Sequence, residues 1–226
     1  MMPKVAELSD PTGEASDEIS FAHEVRRKML HLLALAVPAG MALLGKSILF
    51  ALVPLSLLAL TADVLRVRAA WFRRFIERFF GAMMRRSERP PLGGPVAVNG
   101  ATWVLVSATL LTLIFPVGIA APALATFMVA DAAAALVGRR WGRRRWPGGP
   151  RTVEGTLAFL AAGLLTTALM PGLPFGAGAA GVAAGAVAEA LPGPLNDNLR
   201  VPLVMAAVIF TLERFALGMD VPLLAW

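Results

Sequence analysis

The sequence contains no cysteine and only two histidines, and these scarcities limit the kinds of site it can build. Without cysteine there is no disulfide framework, no thiolate zinc site and no cysteine nucleophile. Two histidines also argue against a histidine-rich metal centre. Any chemistry must therefore rely on carboxylates, arginines, amides or hydroxyl groups.

Charged residues are scarce as well. They make up 16% of the 226 residues, whereas 57% are hydrophobic and the mean hydropathy is +0.69. An average water-soluble domain has roughly a quarter of its residues charged. Several apolar runs are also long enough to cross a bilayer. The composition therefore predicts an all-α polytopic membrane protein rather than a soluble globule.

The apolar runs predict seven transmembrane helices and one amphipathic helix in the headgroup layer. The amphipathic helix is predicted between the second and third spans, from residue 64 to 88, where aromatic residues and arginines alternate at helical spacing. It either fixes the topology or admits a lipid substrate. The predicted spans are 28–45, 47–62, 98–115, 117–137, 153–170, 175–191 and 201–217.

The 21 lysines and arginines lie mainly in blocks between the apolar runs, as in the cytoplasmic loops of a bacterial-type inner-membrane protein. Eight fall between Arg66 and Arg89, and six between Arg139 and Arg151. Placing both blocks in the cytoplasm puts the N-terminus there too and the C-terminus on the opposite side. This pattern predicts the bilayer, and no nucleic acid, as the partner of the basic residues, despite the net charge of +6.

The first 22 residues differ from the rest of the chain. Prolines, a glycine and five acids without an apolar period predict a disordered cytoplasmic tail over residues 1–22. Because this acidic stretch precedes the first apolar run, that run is unlike a cleaved signal peptide. Residues 23–226 are predicted to form a single integral-membrane catalytic domain.

Acidic residues are costly in or beside a membrane span, so each needs a partner, a cavity or a function. The predicted topology puts four of them toward the cytoplasmic face, where soluble nucleotides are available. Carboxylates beside a polyphosphate suggest Mg²⁺ ligation. The candidate catalytic residues are Asp131, Glu154, Glu189 and Asp197, of which Asp131, Glu154 and Asp197 are also candidate metal ligands.

A basic, glycine-containing loop joins the fourth and fifth predicted spans. Its arginines and backbone amides suit a polyphosphate, and Thr152 as an N-cap would direct free N–H groups at the same anion. A positive-inside stop signal followed by a helix cap explains the same composition without a nucleotide. The candidate nucleotide-binding residues are Gly148, Gly149, Arg151, Thr152 and Gly155, together with Arg27 and Lys28.

Other polar residues are predicted at the same end. Glu24, Arg27, Lys28 and His31 recur at spacings of three and four, so they share one helical face. His31 could instead be a buried imidazole whose hydrogen bonds are made within the protein. Residues 196–198 could be a simple turn, and Asn99 could be a helix cap. The candidate substrate-binding residues are Glu24, His31, Asn99 and Asn198.

In order and placement these segments resemble the CTP-dependent polyprenol and lipid kinases, which include dolichol kinase, phytol kinase and the yeast-type diacylglycerol kinase. The family more usually has lysine at the position of Arg151. Arginine keeps the charge but presents a planar guanidinium in place of a compact ammonium group. The resemblance rests on Glu24-x-x-Arg27-Lys28-x-x-His31, Asn99-Gly100-Ala101-Thr102, Asp131-Ala132 with Gly138 and Gly142, Arg151-Thr152-Val153-Glu154-Gly155, and Glu189 with Asp197-Asn198 and Pro202.

The resemblance implies transfer of the γ-phosphoryl group of CTP, with Mg²⁺, to the hydroxyl of an isoprenoid alcohol or diacylglycerol. For that reaction we expect Asp131 and Glu154 to hold Mg²⁺ or orient its waters, and Glu189 to act as the general base. Asp197 with Asn198 is expected to complete the metal shell or to position the hydroxyl. The alternatives are a phosphatidate cytidylyltransferase, which shares part of the pattern, and a non-enzymatic membrane protein. The sequence leaves the lipid and the oligomeric state open.

Overall fold

The computed structural model describes residues 21–81, 84 and 89–220. The predicted tail up to residue 20 lies outside the described residues, and so do residues 82, 83 and 85–88 of the predicted amphipathic segment. The first helix begins at Phe21, within the last two residues assigned to the tail. The described chain is all-helical and has no strand, apart from one isolated bridge between Arg145 and Thr152.

The helices follow one another with short connections. A 3₁₀ turn, Gly45–Ile48, joins the second helix to the third, and a π-helical turn, Leu212–Ala216, follows the last. The α-helices of the described residues are α1 (Phe21–Leu33), α2 (Ala36–Leu44), α3 (Leu49–Arg68), α4 (Ala70–Phe80), α5 (Gly100–Ile114), α6 (Val117–Trp141), α7 (Val153–Leu169), α8 (Phe175–Ala190) and α9 (Asp197–Thr211).

These helices follow the predicted spans, with several differences. The last span, predicted over 201–217, is shifted, because α9 starts at Asp197 and ends at Thr211. Helix α6 continues past residue 137 to Trp141. The span predicted over 28–45 is divided, because α1 ends at Leu33 and α2 begins at Ala36. The amphipathic helix starts at Ala70 and not at residue 64, since α3 continues to Arg68 before the backbone becomes extended at Ala69. Burial of Val67 stabilises this extra turn of α3, a tertiary effect that hydropathy does not report.

Two helical runs are long and apolar enough to cross a bilayer by length and composition, Glu24–Arg68 and Val117–Trp141. The helices Gly100–Ile114, Val153–Leu169 and Phe175–Ala190 are apolar but shorter. At 1.5 Å per residue such helices measure about 22–26 Å, against a hydrocarbon thickness of about 30 Å. The structure is therefore compatible with a helical membrane protein, and the count of seven spans stays a prediction.

Helix α6 lies at the centre of the bundle and packs against α1, α2, α5, α7, α8 and α9. Most of its alanines are buried, and three larger side chains, Leu124, Phe127 and Met128, are fully buried. The crossing with α7 is tight: a Cβ atom on Gly138 would lie 2.9 Å from Thr152 Oγ1 and 3.5 Å from Gly155 Cα. Glycine at residue 138 therefore lets the end of α6 approach the start of α7.

Helices α3 and α5 run in opposite directions, and so do α7 and α8, so their polar ends meet. Asn99 at the start of α5 contacts Asp63 near the end of α3, and Arg151 before α7 contacts Glu189 near the end of α8. The opposite end of the bundle is marked by Lys46, whose Nζ donates a hydrogen bond to the carbonyl oxygen of Leu113. Alternation thus brings distant polar residues to one end of the bundle.

Candidate active site

A buried ion pair joins α1 to α6. Lys28 Nζ donates a hydrogen bond to Asp131 Oδ2, and the two side chains are 5% and 6% exposed. His31, one turn further along α1, places Nε2 3.7 Å from the same oxygen. This Nε2 atom is buried and has no hydrogen-bond partner among the described residues. Two residues of the predicted polar face of α1 therefore meet the predicted catalytic acid.

The first residue of that face, Glu24, is also buried. Its carboxylate accepts hydrogen bonds of 2.5 and 3.3 Å from Arg27 and lies 3.9 Å from Arg139 Nη2. Because Arg139 belongs to the last turn of α6, the carboxylate helps to hold α1 against that end of α6. Glu24 thus supports the site from its edge.

Arg151 connects the loop before α7 with α8 and α9. Its Nε lies 3.0 Å from Glu189 Oε1, and its Nη2 donates to Asp197 Oδ2. Arg200 donates to the other oxygen of Asp197 at 2.7 Å. Burial lowers the pKa of Arg151, but the carboxylates of Glu189, Asp131 and Asp197 outweigh it and raise the pKa above its usual value. Three of the four predicted catalytic acids therefore act electrostatically on one permanently charged guanidinium.

The start of α7 has the predicted cap. Thr152 Oγ1 accepts a hydrogen bond of 3.1 Å from the backbone N–H of Gly155, which confirms Thr152 as the N-cap. Glu154 points elsewhere: its carboxylate accepts from the backbone N–H groups of Arg143 and Arg144 at 3.1 and 3.3 Å. Glu154 thereby fixes the shape of the basic loop.

Asn99 is the N-cap of α5 and also contacts an acid of α3. Its side-chain oxygen accepts from the N–H groups of Ala101 and Thr102, which confirms the cap, and its Nδ2 donates to Asp63 Oδ1 at 2.7 Å. The Asp63 carboxylate also accepts from Thr102 Oγ1 at 2.7 Å and lies 3.1 Å from Arg66 Nη2. The sequence analysis missed Asp63, although an acid at the end of an apolar run was the available signal.

A cavity of 1290 Å³ opens at this end of the bundle, between α6, the start of α7 and the turn from α8 to α9. Arginine side chains and small residues line much of it, and Glu189 and Asp197 contribute carboxylates. Arginines are suited to bidentate binding of phosphate oxygens. The arginines in its wall are Arg139, Arg145, Arg151 and Arg200.

A second cavity, of 490 Å³, lies between α1, α3, α4 and α5. Its walls include many apolar side chains, and α4 contributes Ile76 and Phe80. The polar residues of the helix ends complete the lining: Arg27, Lys28, His31, Asp63, Arg66, Asn99, Asp131 and Asn198. It therefore suits a molecule with an apolar chain and a polar group.

Neighbouring residues line the two cavities. Asp197 lines the larger cavity and Asn198 the smaller one, where Asn198 also donates a hydrogen bond of 3.0 Å to the carbonyl oxygen of Gly100. Asp131 lines the smaller cavity, and Ala134, one turn along α6, lines the larger. The start of α9 and the segment of α6 from Asp131 to Ala134 thus lie between the two cavities.

The predicted site residues divide between these cavities. The larger is lined by Glu24, Gly149, Arg151, Thr152, Gly155, Glu189 and Asp197, and the smaller by Arg27, Lys28, His31, Asn99, Asp131 and Asn198. Glu154 and Gly148 line neither of these two cavities. The predicted nucleotide-binding residues Arg27 and Lys28 thus lie on the apolar side.

The predicted metal ligands do not form one shell. Within the described ranges, no group of three or more histidine, aspartate or glutamate side chains is placed to hold an ion. Asp131 is paired with Lys28, and Glu154 binds backbone amides. Mg²⁺ that arrives with a nucleotide needs only one or two carboxylates besides phosphate oxygens. Asp197, whose side chain is 26% exposed in the wall of the larger cavity, fits that smaller requirement.

Comparison with known proteins gives two relatives. The chain is 28% identical to CTP-dependent diacylglycerol kinase 1 of Schizosaccharomyces pombe over 170 residues, which cover 67% of this chain and 75% of that protein. It is 26% identical to an uncharacterized protein of Rickettsia prowazekii over 151 residues, 66% of this chain and 72% of the relative. No family model matches the chain, and no solved structure matches it significantly. The first similarity supports the CTP-dependent lipid kinase family.

Proposed function

We propose that this protein is a membrane lipid kinase that transfers the γ-phosphoryl group of CTP to the hydroxyl of a lipid alcohol. The observation that carries the proposal is the pair of cavities, one lined by arginines and one largely apolar, on either side of Asp131 and the Asp197–Asn198 pair. A phosphoryl donor soluble in water and an acceptor soluble in lipid require such a pair. The similarity to a CTP-dependent diacylglycerol kinase supports the choice of CTP and of a lipid.

The triphosphate occupies the larger cavity in this proposal. Arg151 is anchored there by Glu189 and Asp197, so its planar guanidinium is held in place before the nucleotide binds. The start of α7, capped by Thr152, adds backbone N–H groups and the positive end of a helix dipole. Phosphoryl transfer depends mainly on such positioning and charge neutralisation.

Mg²⁺ accompanies CTP in the proposal, and Asp197 would hold it together with phosphate oxygens. When bound, the ion neutralises charge on the transferred group. Glu189 stays behind Arg151 and fixes the orientation of its guanidinium.

The lipid chain occupies the smaller cavity, with its hydroxyl directed toward Asp131. We assign the hydroxyl to Asp131 and not to Glu189 because Asp131 lines the apolar cavity, whereas Glu189 lines the arginine-rich one. The hydroxyl oxygen forms a bond to the γ-phosphorus while the bond from that phosphorus to the β,γ-bridging oxygen breaks. CDP leaves with the electron pair of the broken bond, and the hydroxyl proton passes to the Asp131 carboxylate.

We further propose that the protein is embedded in a bacterial-type inner membrane with this end in the cytoplasm, where CTP is available. The arginine-rich loop from 139 to 151 lies at the same end as the larger cavity, as the positive-inside rule requires for a cytoplasmic site.

The test is a reaction of purified protein with CTP labelled in the γ-phosphate and a panel of phytol, geranylgeraniol, a long polyprenol and diacylglycerol. A kinase gives a labelled lipid phosphate and CDP. Release of labelled pyrophosphate with phosphatidate would identify a cytidylyltransferase instead. A chain that neither binds CTP nor labels any lipid would have a non-enzymatic role.

A further inference from the structure

Arg66 is a buried cation whose hydrogen bonds are incomplete. Its side chain is 5% exposed, and its Nη2 donates to the carbonyl oxygen of Ala97 at 2.7 Å and lies 3.1 Å from Asp63 Oδ1. Nη1 has only the sulfur of Met84, at 3.5 Å, and Nε has no partner among the described residues. A thioether sulfur is a weak acceptor. Two of the three guanidinium nitrogens therefore lack an oxygen acceptor in the described part of the chain.

An incompletely bonded guanidinium is costly in this position. Arg66 lines the smaller cavity, and among the described residues no oxygen accepts from its Nε or Nη1 in place of water. Buried donors without an acceptor destabilise a protein, and native structures have few of them. A ligand oxygen that entered the cavity and accepted from Arg66 would recover this free energy.

We propose that Arg66 is a specificity-determining residue that binds a second oxygen of the acceptor lipid, near the hydroxyl that is phosphorylated. The inference rests on the proposed lipid kinase function. A lipid with an ester carbonyl close to its hydroxyl supplies such an oxygen. An isoprenoid alcohol does not, because everything beyond its hydroxyl is hydrocarbon.

Asp63 is the positioning residue for this contact. Its carboxylate is 3.1 Å from Arg66 Nη2 and is held in turn by Asn99 and Thr102 at the start of α5. The guanidinium is therefore fixed from one side, and Nη1, whose one acceptor is the thioether sulfur of Met84, is the nitrogen that a ligand oxygen would engage. Arg66 does not line the larger cavity, so the contact is with the acceptor and not with the nucleotide.

The experiment compares three acceptors with wild-type protein and Arg66→Lys: a short-chain diacylglycerol, the glycerol diether of the same chain length, and geranylgeraniol. The diacylglycerol has ester carbonyl groups, and the diether has none. Lysine keeps the charge but loses the Nε donor and the planar fork. Arg68→Lys, exposed two residues further along α3, is the matched control.

The wild type is expected to prefer the ester in kcat/KM. In Arg66→Lys the ester-to-ether ratio should fall by about tenfold, the usual effect of losing one hydrogen bond to a charged donor, while Arg68→Lys keeps the wild-type ratio. An equal loss on all acceptors, or a wild type that uses the ether or geranylgeraniol as well as the ester, would overturn the inference and leave the kinase intact. If no acceptor is phosphorylated, the proposed function itself fails. The ester-to-ether ratio of the wild type decides the matter even if the variant does not fold.

Discussion

Lys28 and Asp131 form a buried ion pair although 103 positions separate them in the chain. The pair joins α1 to the central helix α6 in the wall of the apolar cavity. Removing one partner of such a pair leaves an uncompensated charge in a medium that solvates it poorly. The contact therefore links the stability of the bundle to the proposed acceptor site.

Lys28→Met should lower the free energy of unfolding by about 3–5 kcal/mol, because Asp131 keeps its charge and loses its cation. Thermal unfolding in detergent measures the loss. The double variant Lys28→Met/Asp131→Asn should be less destabilised than the sum of the two single changes. The control is Arg73→Met, which breaks the half-exposed i,i+4 pair with Glu77 on the surface of α4 and should cost less than about 1 kcal/mol. Similar losses for Lys28→Met and Arg73→Met would contradict a special role for the buried pair.

Asp131→Asn should reduce kcat by about a hundredfold or more, the usual contribution of a positioned proton acceptor. Binding of CTP should change little, since Asp131 lines the acceptor cavity. Turnover with labelled CTP and equilibrium binding of unlabelled CTP separate these effects. Asp220→Asn alters an exposed acid in an ion pair with Arg214 and serves as the control. Wild-type turnover in Asp131→Asn would remove this residue from the reaction.

Arg151→Lys should weaken CTP binding by about tenfold, because an ammonium cannot bridge Glu189 and Asp197 and also present a fork to phosphate. Calorimetry of CTP binding measures the change. Arg140→Lys, in the exposed last turn of α6, should bind as the wild type does. Equal affinities of the Arg151 and Arg140 variants would place the triphosphate elsewhere.

The electrostatics of Arg151 also predict how CTP binding responds to pH. Burial lowers its pKa, but the surrounding carboxylates raise it above the usual arginine value. Because the pKa of Arg151 is raised, its guanidinium is charged at every pH below the usual arginine pKa. It loses its proton only when the pH exceeds the raised pKa. Between about pH 6 and 9 the contribution of Arg151 should therefore be constant. A difference in CTP affinity between wild type and Arg151→Lys that varied across this range would refute the assignment.

Gly138→Ala should separate α6 from α7, since its Cβ would lie 2.9 Å from Thr152 Oγ1. We expect a lower melting temperature and weaker CTP binding, because the α7 cap forms part of the nucleotide cavity. Gly176→Ala is the matched control: a Cβ there meets nothing within 4 Å, and alanine favours a helix over glycine. A harmless Gly138→Ala would show that the crossing tolerates a wider spacing.

The absence of cysteine allows a direct test of membrane orientation. Arg140→Cys should react with an impermeant maleimide only from the cytoplasmic side, and Gly118→Cys, exposed in the first turn of α6, only from the opposite side. Labelling of intact and opened cells measures both. Reaction of the two cysteines from the same side would contradict the proposed topology.

Features set by neighbouring residues were predictable. Thr152 was predicted to be a cap, and a cap was one of the two roles considered for Asn99, because a cap depends on a side chain and backbone N–H groups two or three residues away. The helices could be recognised from apolar runs for the same local reason. The interruption after Leu33 lies at the residue four positions before Pro38, whose ring clashes with that carbonyl group, so it has a local cause that hydropathy does not report. The continuation of α3 to Arg68 accompanies burial of Val67, which depends on tertiary packing.

The sequence by itself determined an all-helical chain and the polar character of the helix ends, since helix formation and burial follow from residues close together in the chain. Only the tertiary structure decided which charges meet. Arg151 pairs with Asp197 across 46 positions and Lys28 with Asp131 across 103. Glu154 instead binds the nearby loop, and Asp63 lies in the site although its role was not predicted. Periodicity carries no information about such long-range partners, because each partner is chosen by how the helices pack and by the need of every buried charge for an opposite one.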